Sequence, residues 1–275
     1  MNLEKSSKVI LAANHLVKTY TQASGRFGLG SNQIKALDDV SIALKAGSTL
    51  AVVGESGSGK STLARCLLQL HPFDSGEVLF EGVDLAKLDK NALREKRQHL
   101  QMVFQDPFAS LNPRMRVGEI VTEGLLIHGL GNKAEQQAHV LSMLKRVGLS
   151  ADDALKYPHQ FSGGQRQRIG IARALVLKPK VVVCDEPVSA LDVSVQAQIL
   201  LLLKELQQEM NLSYVFISHD LRVVRHIADE IVVMNAGKIV EQGSIEAVYN
   251  TPQQAYTQQL LSAIPGKAAL TKAAA

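Results

Sequence analysis

Apolar runs of strand length recur along the chain, at Leu50–Val53, Val181–Cys184, Tyr214–Ile217 and Ile231–Met234. Each is continuous rather than alternating and rich in β-branched residues. That is the pattern of strands buried on both faces, as in a parallel sheet covered by helices. Helical periodicity lies between them. Over Ser61–Leu70 the residues Leu63, Ala64, Leu67 and Leu68 share one side, and over Val195–Met210 the residues Ile199, Leu202, Leu203 and Leu206 form a stripe. Such a stripe faces a core and packs there.

The first hundred residues carry antiparallel signals as well: alternation through Ser41–Leu44, the Val78–Phe80 run ending at Gly82, and Thr49–Val53. From Asp106 to Gln160 the β pattern stops. Helical segments Val117–Leu126 and Ala134–Val147 are set off there by Pro107, Pro113, Gly129–Gly131 and Pro158. This block reads as a helical insertion in an α/β core. Ile231–Met234 and Lys238–Val240, joined by Asn235-Ala236-Gly237, predict a hairpin. The Ala-rich end after Pro265 reads as a frayed tail.

Composition narrows the class. A chain of 275 residues can bury a core without disulfides or a structural metal, and its length suggests two domains. A formal charge of +4 fits attraction to anions but does not nominate DNA. Seven Phe, five Tyr and no Trp weaken any base-stacking or sugar-stacking surface. Two cysteines, Cys66 and Cys184, exclude a disulfide-rich secreted fold and a four-cysteine zinc or iron–sulfur site. Both stand in apolar contexts and read as buried thiols in a reducing compartment. The stretch Met1–His15 has only the short apolar run Val9–Ala13, less than a secretory signal needs. No run approaches the ~18 residues of a membrane span. A soluble, cytosolic α/β protein is expected.

The chemistry begins at Gly54-Glu55-Ser56-Gly57-Ser58-Gly59-Lys60-Ser61-Thr62, which follows a strand and opens a helix. It matches GxxxxGK[ST] in the required context. Glycines let successive N–H groups turn inward around phosphate oxygens, and the helix N-terminus adds positive potential. Lys60 can supply a charge to the β/γ-phosphates and Ser61 a hydroxyl ligand to Mg²⁺. The competing reading is a Gly/Ser-rich turn before a helix. A second element, Val181–Glu186, is an apolar strand ending in two carboxylates. Asp185 can orient a magnesium-bound water, and Glu186, on the other face of the strand, can act as general base toward the attacking water. Alone, such a pair could be a solvated strand edge; together with the phosphate loop it reads as functional.

The segment Phe161-Ser162-Gly163-Gly164-Gln165-Arg166-Gln167-Arg168 resembles the signature sequence of ATP-binding-cassette (ABC) ATPases. It is far more specific than the phosphate loop, which kinases and GTPases share. Ser162, Gly163 and Gly164 precede a helical pattern beginning near Gln165, so they offer N–H groups and a hydroxyl at a second helix N-terminus. Other members of the family's set fall into order. Gln105 in Val103–Pro107 looks like the Q-loop, Ser189-Ala190-Leu191-Asp192 like the D-loop, and His219 like the switch histidine that contacts the γ-phosphate. Tyr20 in Leu16–Tyr20 is similar to the aromatic that stacks on adenine. Plain polar loop, core histidine and packing aromatic are the competing readings of Gln105, His219 and Tyr20. Ser218-His219-Asp220 is no hydrolase triad, because triad members converge from separate elements.

The resemblance covers residues 9–264. It implies a P-loop NTPase (RecA-like) α/β core with an antiparallel β subdomain, over 1–105 and 161–265, an inserted helical subdomain over 106–160, and a tail over 266–275. It further implies ATP and Mg²⁺ as cofactors, with Ser61, Gln105 and Asp185 on the metal side. In the family that the chain resembles, ATP is held across a dimer, which here implies a site between Lys60's loop of one subunit and Ser162–Gln165 of the other. The stretch Gln105–Arg114 followed by Val117–Ile120 looks like the ATPases of oligopeptide, dipeptide and nickel importers, as do Glu241-Gln242-Gly243 and Tyr256–Pro265. The Gly/Ser-rich loop Thr21–Gln33 is also typical of that group. Many relatives carry a C-terminal cysteine cluster for an iron–sulfur centre; no cysteine follows Cys184, so no such cluster is expected.

The expected partners are membrane permease subunits touched by about Asp106–Leu130, a second ATPase subunit (identical or sister), and indirectly a periplasmic or extracellular solute-binding protein. The expected place is the cytoplasmic face of the inner membrane, peripherally. Three rivals are weaker. An ABC-type ATPase acting on DNA or ribosomes lacks room for a coiled-coil arm between Lys60 and Ser162, and patches such as Arg94–Arg97 read as solvated helix faces. A small-molecule kinase does not account for the signature, and an exporter ATPase does not fit Asn112-Pro113-Arg114 or the C-terminal segment.

Overall fold

A computed structural model of the chain describes residues 8–24 and 30–264. It opens with a long antiparallel hairpin, β1 (Val9–Ser24) and β2 (Gly30–Lys45). Thr21 pairs with Gln33 and Gln22 with Asn32, so most of the stretch read as a loop over Thr21–Gln33 is strand. Backbone pairing needs no apolar side chains when two segments are already antiparallel neighbours, and polarity hid these ends. The remainder of that stretch, 25–29, and the tail 266–275 lie outside the described residues.

Next come β3 (Thr49–Val53), helix α1 (Lys60–Leu67), and the strands β4 (Ser75–Phe80) and β5 (Val83–Asp84). The order β2-β1-β4-β5 makes an antiparallel sheet. This segment, up to Lys87, joins the chain from Val215 onward in one compact unit, while Leu88–Tyr214 forms a second.

The second unit begins with α2 (Lys90–Gln98), which Asp89 caps through the N–H groups of Asn91 and Ala92. It continues through β6 (Leu100–Val103), α3 (Pro107–Ser110), α4 (Val117–Ile127), α5 (Lys133–Arg146), α6 (Gly163–Leu175), β7 (Val181–Asp185) and α7 (Val193–Met210). Asn132 and Glu135 form a capping box at the start of α5. β6 and β7 run parallel with Leu100 opposite Val181, and every residue of β7 is buried, as its unbroken apolar run predicts. In α7 the buried residues are Ile199, Leu202, Leu203 and Leu206, the four of the sequence stripe. Each such side chain contributes about 1.5–3 kcal/mol on burial.

Along β8 (Ser213–Ser218) the chain returns to the first unit, followed by α8 (Leu221–Ile227), β9 (Glu230–Asn235), β10 (Lys238–Ser244), α9 (Ile245–Asn250) and α10 (Ala255–Ser262). β9 and β10 form the expected hairpin, with Ala236 and Gly237 at positive φ. β3 runs parallel to β9, Leu50 opposite Glu230, and is buried throughout. Its counting among the antiparallel signals is thereby corrected: a strand with both faces covered takes the parallel partner. Among the described residues no helix is long and apolar enough to cross a membrane.

Candidate active site

The phosphate loop turns on two glycines. Gly54 leaves β3 at φ 153, and a Cβ there would stand 2.2 Å from the Met234 carbonyl oxygen. Gly59 caps α1 at φ 106, and its Cβ would stand 2.2 Å from the Ala36 carbonyl oxygen. Both positions combine a backbone conformation that favours glycine with a backbone atom that cannot yield. Between them Glu55, Ser56 and Gly57 are exposed, and Ser58 is buried.

Lys60 is the first residue of α1 and only 5% exposed. Its Nζ donates to the Gly54 carbonyl at 2.8 Å, the Glu55 carbonyl at 2.7 Å and Ser58 Oγ at 3.4 Å. The loop's own oxygens thus hold the ammonium against the loop. No side chain caps α1, so the positive end of the helix is presented with Ser61 and Thr62 in its first turn. The β9–β10 turn braces the loop from behind: the Gly237 N–H donates to the Ser58 carbonyl at 3.0 Å. Gly237 was legible as a turn residue, but its hold on the phosphate loop was not.

Tyr20 lies half-buried in β1 opposite Ile34, with Lys18 Nζ 5.5 Å from its ring centroid. His219 follows β8 and is exposed. The neighbouring Asp220 is committed elsewhere. It caps α8 through the Arg222 N–H at 2.8 Å and pairs with the Arg222 guanidinium at 2.7 Å, and that pairing first of all holds its carboxyl below the ordinary range. This disposes of a Ser-His-Asp triad.

In the second unit Asp185 ends β7, 4% exposed. Glu186 is the residue just past the end of the strand, at φ 46. A non-glycine residue held in the left-handed region carries strain, a feature that clusters at functional sites. The backbone there is over-determined: Ser189 donates to the Glu186 carbonyl through its N–H at 3.2 Å and its Oγ at 3.1 Å. Glu186 Oε2 accepts a hydrogen bond from Gln105 Nε2 at 3.2 Å. Two residues singled out separately in the sequence therefore meet.

Ser162 caps α6. Its Oγ accepts from the Gln165 N–H at 3.3 Å, and Gln165 Oε1 accepts from the Ser162 N–H at 3.0 Å. This capping box leaves the N–H groups of Gly163 and Gly164 outside it. A Cβ on Gly164 would meet Val195 Cγ1 at 2.5 Å, so glycine lets α6 approach α7. Asp192 of the D-loop stretch caps α7, accepting from the Val195 N–H at 3.0 Å. Sequence reasoning missed Tyr256, whose hydroxyl accepts from the Glu55 N–H of the phosphate loop at 3.2 Å. It lies in the Tyr256–Pro265 stretch, whose sequence points to a subfamily and not to the nucleotide site.

Cys66 and Cys184 are free and buried. Among the described residues no group of three or more His, Cys, Asp or Glu could hold a metal ion.

Comparison with known proteins agrees with the fold. The ABC transporter family model matches residues 37–189. The dipeptide transport ATP-binding protein DppF of Escherichia coli is 54% identical over 93% of this chain and 76% of its own length. The oligopeptide transport ATP-binding protein OppF of Streptococcus mutans is 53% identical over 86% of this chain and 77% of its own. Among solved structures, the dimeric ATP-binding cassette MJ0796 bound to ADP and Pi superposes with a TM-score of 0.76 at 31% identity, covering 86% of this chain and 98% of that one. CbiO1 from Clostridium perfringens, part of the ABC transporter complex CbiONQ, has a TM-score of 0.76 at 28% identity, covering 96% and 99%. The chain belongs to the ATP-binding subunits of ABC transporters, and as a member of that family it is an ATPase with the α/β fold of P-loop NTPases.

Proposed function

We propose that the chain is the ATP-hydrolysing subunit energising import of peptides or a related small solute, of the dipeptide, oligopeptide or nickel class. It works on a separate membrane permease as one of two ATPase subunits, identical or sister. The observation that carries the ATPase reading is the phosphate loop, with Lys60 anchored at the start of an uncapped helix. The solute class is supported by the dipeptide and oligopeptide relatives. A periplasmic or extracellular binding protein delivers the solute, the ATPase sits peripherally on the cytoplasmic face of the inner membrane, and no nucleic acid takes part.

Each residue then has a chemical task. N–H groups of residues 57–62 and the Lys60 ammonium bind the β- and γ-phosphates of ATP, while Tyr20 stacks on adenine. Glu186 accepts the proton of the attacking water as it adds in line to the γ-phosphorus and the β–γ bridging oxygen leaves with ADP. Gln105 orients that carboxylate, and His219 donates to the γ-phosphate oxygens. Ser162, Gly163, Gly164 and Gln165 of the second subunit close on the same phosphates, with the Gly163 and Gly164 N–H groups, which lie outside the Ser162–Gln165 capping box, turned to the anion.

The residues present suit Mg²⁺: the Ser61 hydroxyl, the Asp185 carboxylate and the Gln105 amide oxygen are hard oxygen donors. With Nε2 donating to Glu186, Gln105 keeps its carbonyl oxygen for a cation. When bound, the ion neutralises phosphate charge. No iron–sulfur cluster belongs to this reading, and iron quantitation on purified protein is expected to return none.

Residues 106–160 are the helical block that meets the permease. Supporting this, Phe108 and Leu126 are each 62% exposed there, apolar surface of a kind that marks contact sites. Uptake of labelled di- and oligopeptides by cells lacking this chain tests the proposal. Restoration by the wild type but not by Lys60→Ala is expected; uptake independent of Lys60 contradicts it.

A further inference from the structure

The phosphate loop is held from a direction that the phosphate-binding residues do not account for. The peptide unit between Gly54 and Glu55 is gripped at both ends. Its carbonyl oxygen, on Gly54, accepts from Lys60 Nζ at 2.8 Å, and its N–H, on Glu55, donates to the Tyr256 hydroxyl at 3.2 Å. Gly54 at φ 153 imposes little torsional preference of its own. The plane of this peptide is therefore set by its two partners. Rotating it would take the carbonyl away from the ammonium that is to meet the phosphates.

Tyr256 is itself anchored. It is the second residue of α10, and the turn leading into that helix is fixed by Glu241 of β10. Glu241 Oε1 accepts from the Gln253 N–H at 2.8 Å and Oε2 from the Gln254 N–H at 3.1 Å. Burial alone would raise the Glu241 carboxyl; the Gln253 N–H, the Thr257 side chain and the Gln254 N–H together outweigh it and hold the carboxyl below its ordinary value. A carboxylate thus fixes the start of α10, and α10 delivers one hydroxyl to the loop, 201 residues away in sequence.

We infer that Tyr256 is a positioning residue for nucleotide binding, acting through the Gly54–Glu55 peptide on Lys60. The inference rests on the nucleotide reading of the loop and deepens it: the C-terminal helix becomes a second determinant of ATP affinity. Removing the hydroxyl alone, by Tyr256→Phe, keeps the ring and its packing. One hydrogen bond of this kind corresponds to a loss of affinity between about twofold and tenfold.

The test measures ATP dissociation constant, steady-state kinetics and amide hydrogen exchange on the full chain for wild type, Tyr256→Phe and Lys60→Ala. For Tyr256→Phe the expected result is a Kd and KM for ATP raised about fivefold, kcat at saturating ATP within about twofold, and faster exchange at Glu55 with α10 amides unchanged. Unchanged ATP affinity would overturn the inference. So would a loss of affinity accompanied by lost protection across α10, which makes Tyr256 a packing residue. Lys60→Ala separates the two levels. If it leaves ATP binding intact, the nucleotide reading fails; if it abolishes binding while Tyr256→Phe changes nothing, only the role of Tyr256 fails.

Discussion

Gln105 Nε2 donates to Glu186 Oε2 at 3.2 Å across 81 residues of sequence. Gln105 is exposed on the segment after β6, and Glu186 stands in a strained turn after β7. A carboxylate that must take a proton from water in one direction gains from a donor that fixes its other oxygen. Any movement of the Gln105 segment therefore reorients the candidate base. Replacing Gln105 by Ala is expected to lower kcat between about 10- and 100-fold, the worth of one hydrogen bond to a charged group, with a smaller change in KM. Steady-state ATPase assays on the purified protein check this, and an unchanged kcat would remove Gln105 from the mechanism.

Two glycines of the phosphate loop distinguish strain from collision. A Cβ at Gly57, φ 82, meets nothing within 4 Å, whereas one at Gly59 stands 2.2 Å from the Ala36 carbonyl oxygen. Gly57→Ala is expected to cost about 1 kcal/mol of backbone strain and to retain ATP binding. Gly59→Ala must shift the Ala36 backbone or the start of α1, and is expected to lose nucleotide binding with a lowered melting temperature. Equal effects of the two changes would mean that the close approach at Gly59 does not matter.

How far the sequence carries depends on how local the determinant is. The buried stripe of α7 and the unbroken run of β7 needed only their own residues, and both came out as read. β1 did not, because register shifts between Ala13 and Leu16, Leu16 and Lys18, and Lys18 and Thr19 destroy the period-2 alternation by which a strand is recognised. The unbroken run of β3 points to a parallel sheet, as found, but its partner β9 lies far along the chain, and a run of five residues could not reveal which strand that is. The same holds within the site. Strand and helix ends picked out Lys60 and Glu186, and the resemblance to the ABC ATPases picked out Gln105, Ser162 and His219. The Gln105–Glu186 bond, the hold of Gly237 on Ser58 and that of Tyr256 on Glu55 are tertiary, and no offset encodes them.

The two thiols have a pH signature. Burial pushes Cys66 up to about 11, and Cys184 is pushed up as well by burial and then by Asp185. At pH 8 only about 0.1% of Cys66 is thiolate, so iodoacetamide is expected to leave the native protein unmodified and to label both cysteines in denaturant. The folded-state pKa of Cys66 lies above the unfolded one. Its contribution to stability is therefore complete below about pH 8.5 and is lost as pH rises toward about 11. Denaturant unfolding across that window, compared with Cys66→Ala, is expected to show a shallower alkaline decline in the variant. Rapid labelling of the native protein would contradict the burial on which this rests.

The central claim is that the chain binds ATP at the Lys60 loop and hydrolyses it with Glu186 as the base. Glu186→Gln keeps the side chain's size and its oxygen for Gln105 while removing proton acceptance. ATP binding, dimerisation and phosphate release measured together on this variant test the claim most directly. The expected result is near-wild-type ATP affinity, a stable ATP-bound dimer and phosphate release slowed by about 100-fold or more. Near-normal turnover in Glu186→Gln would contradict it.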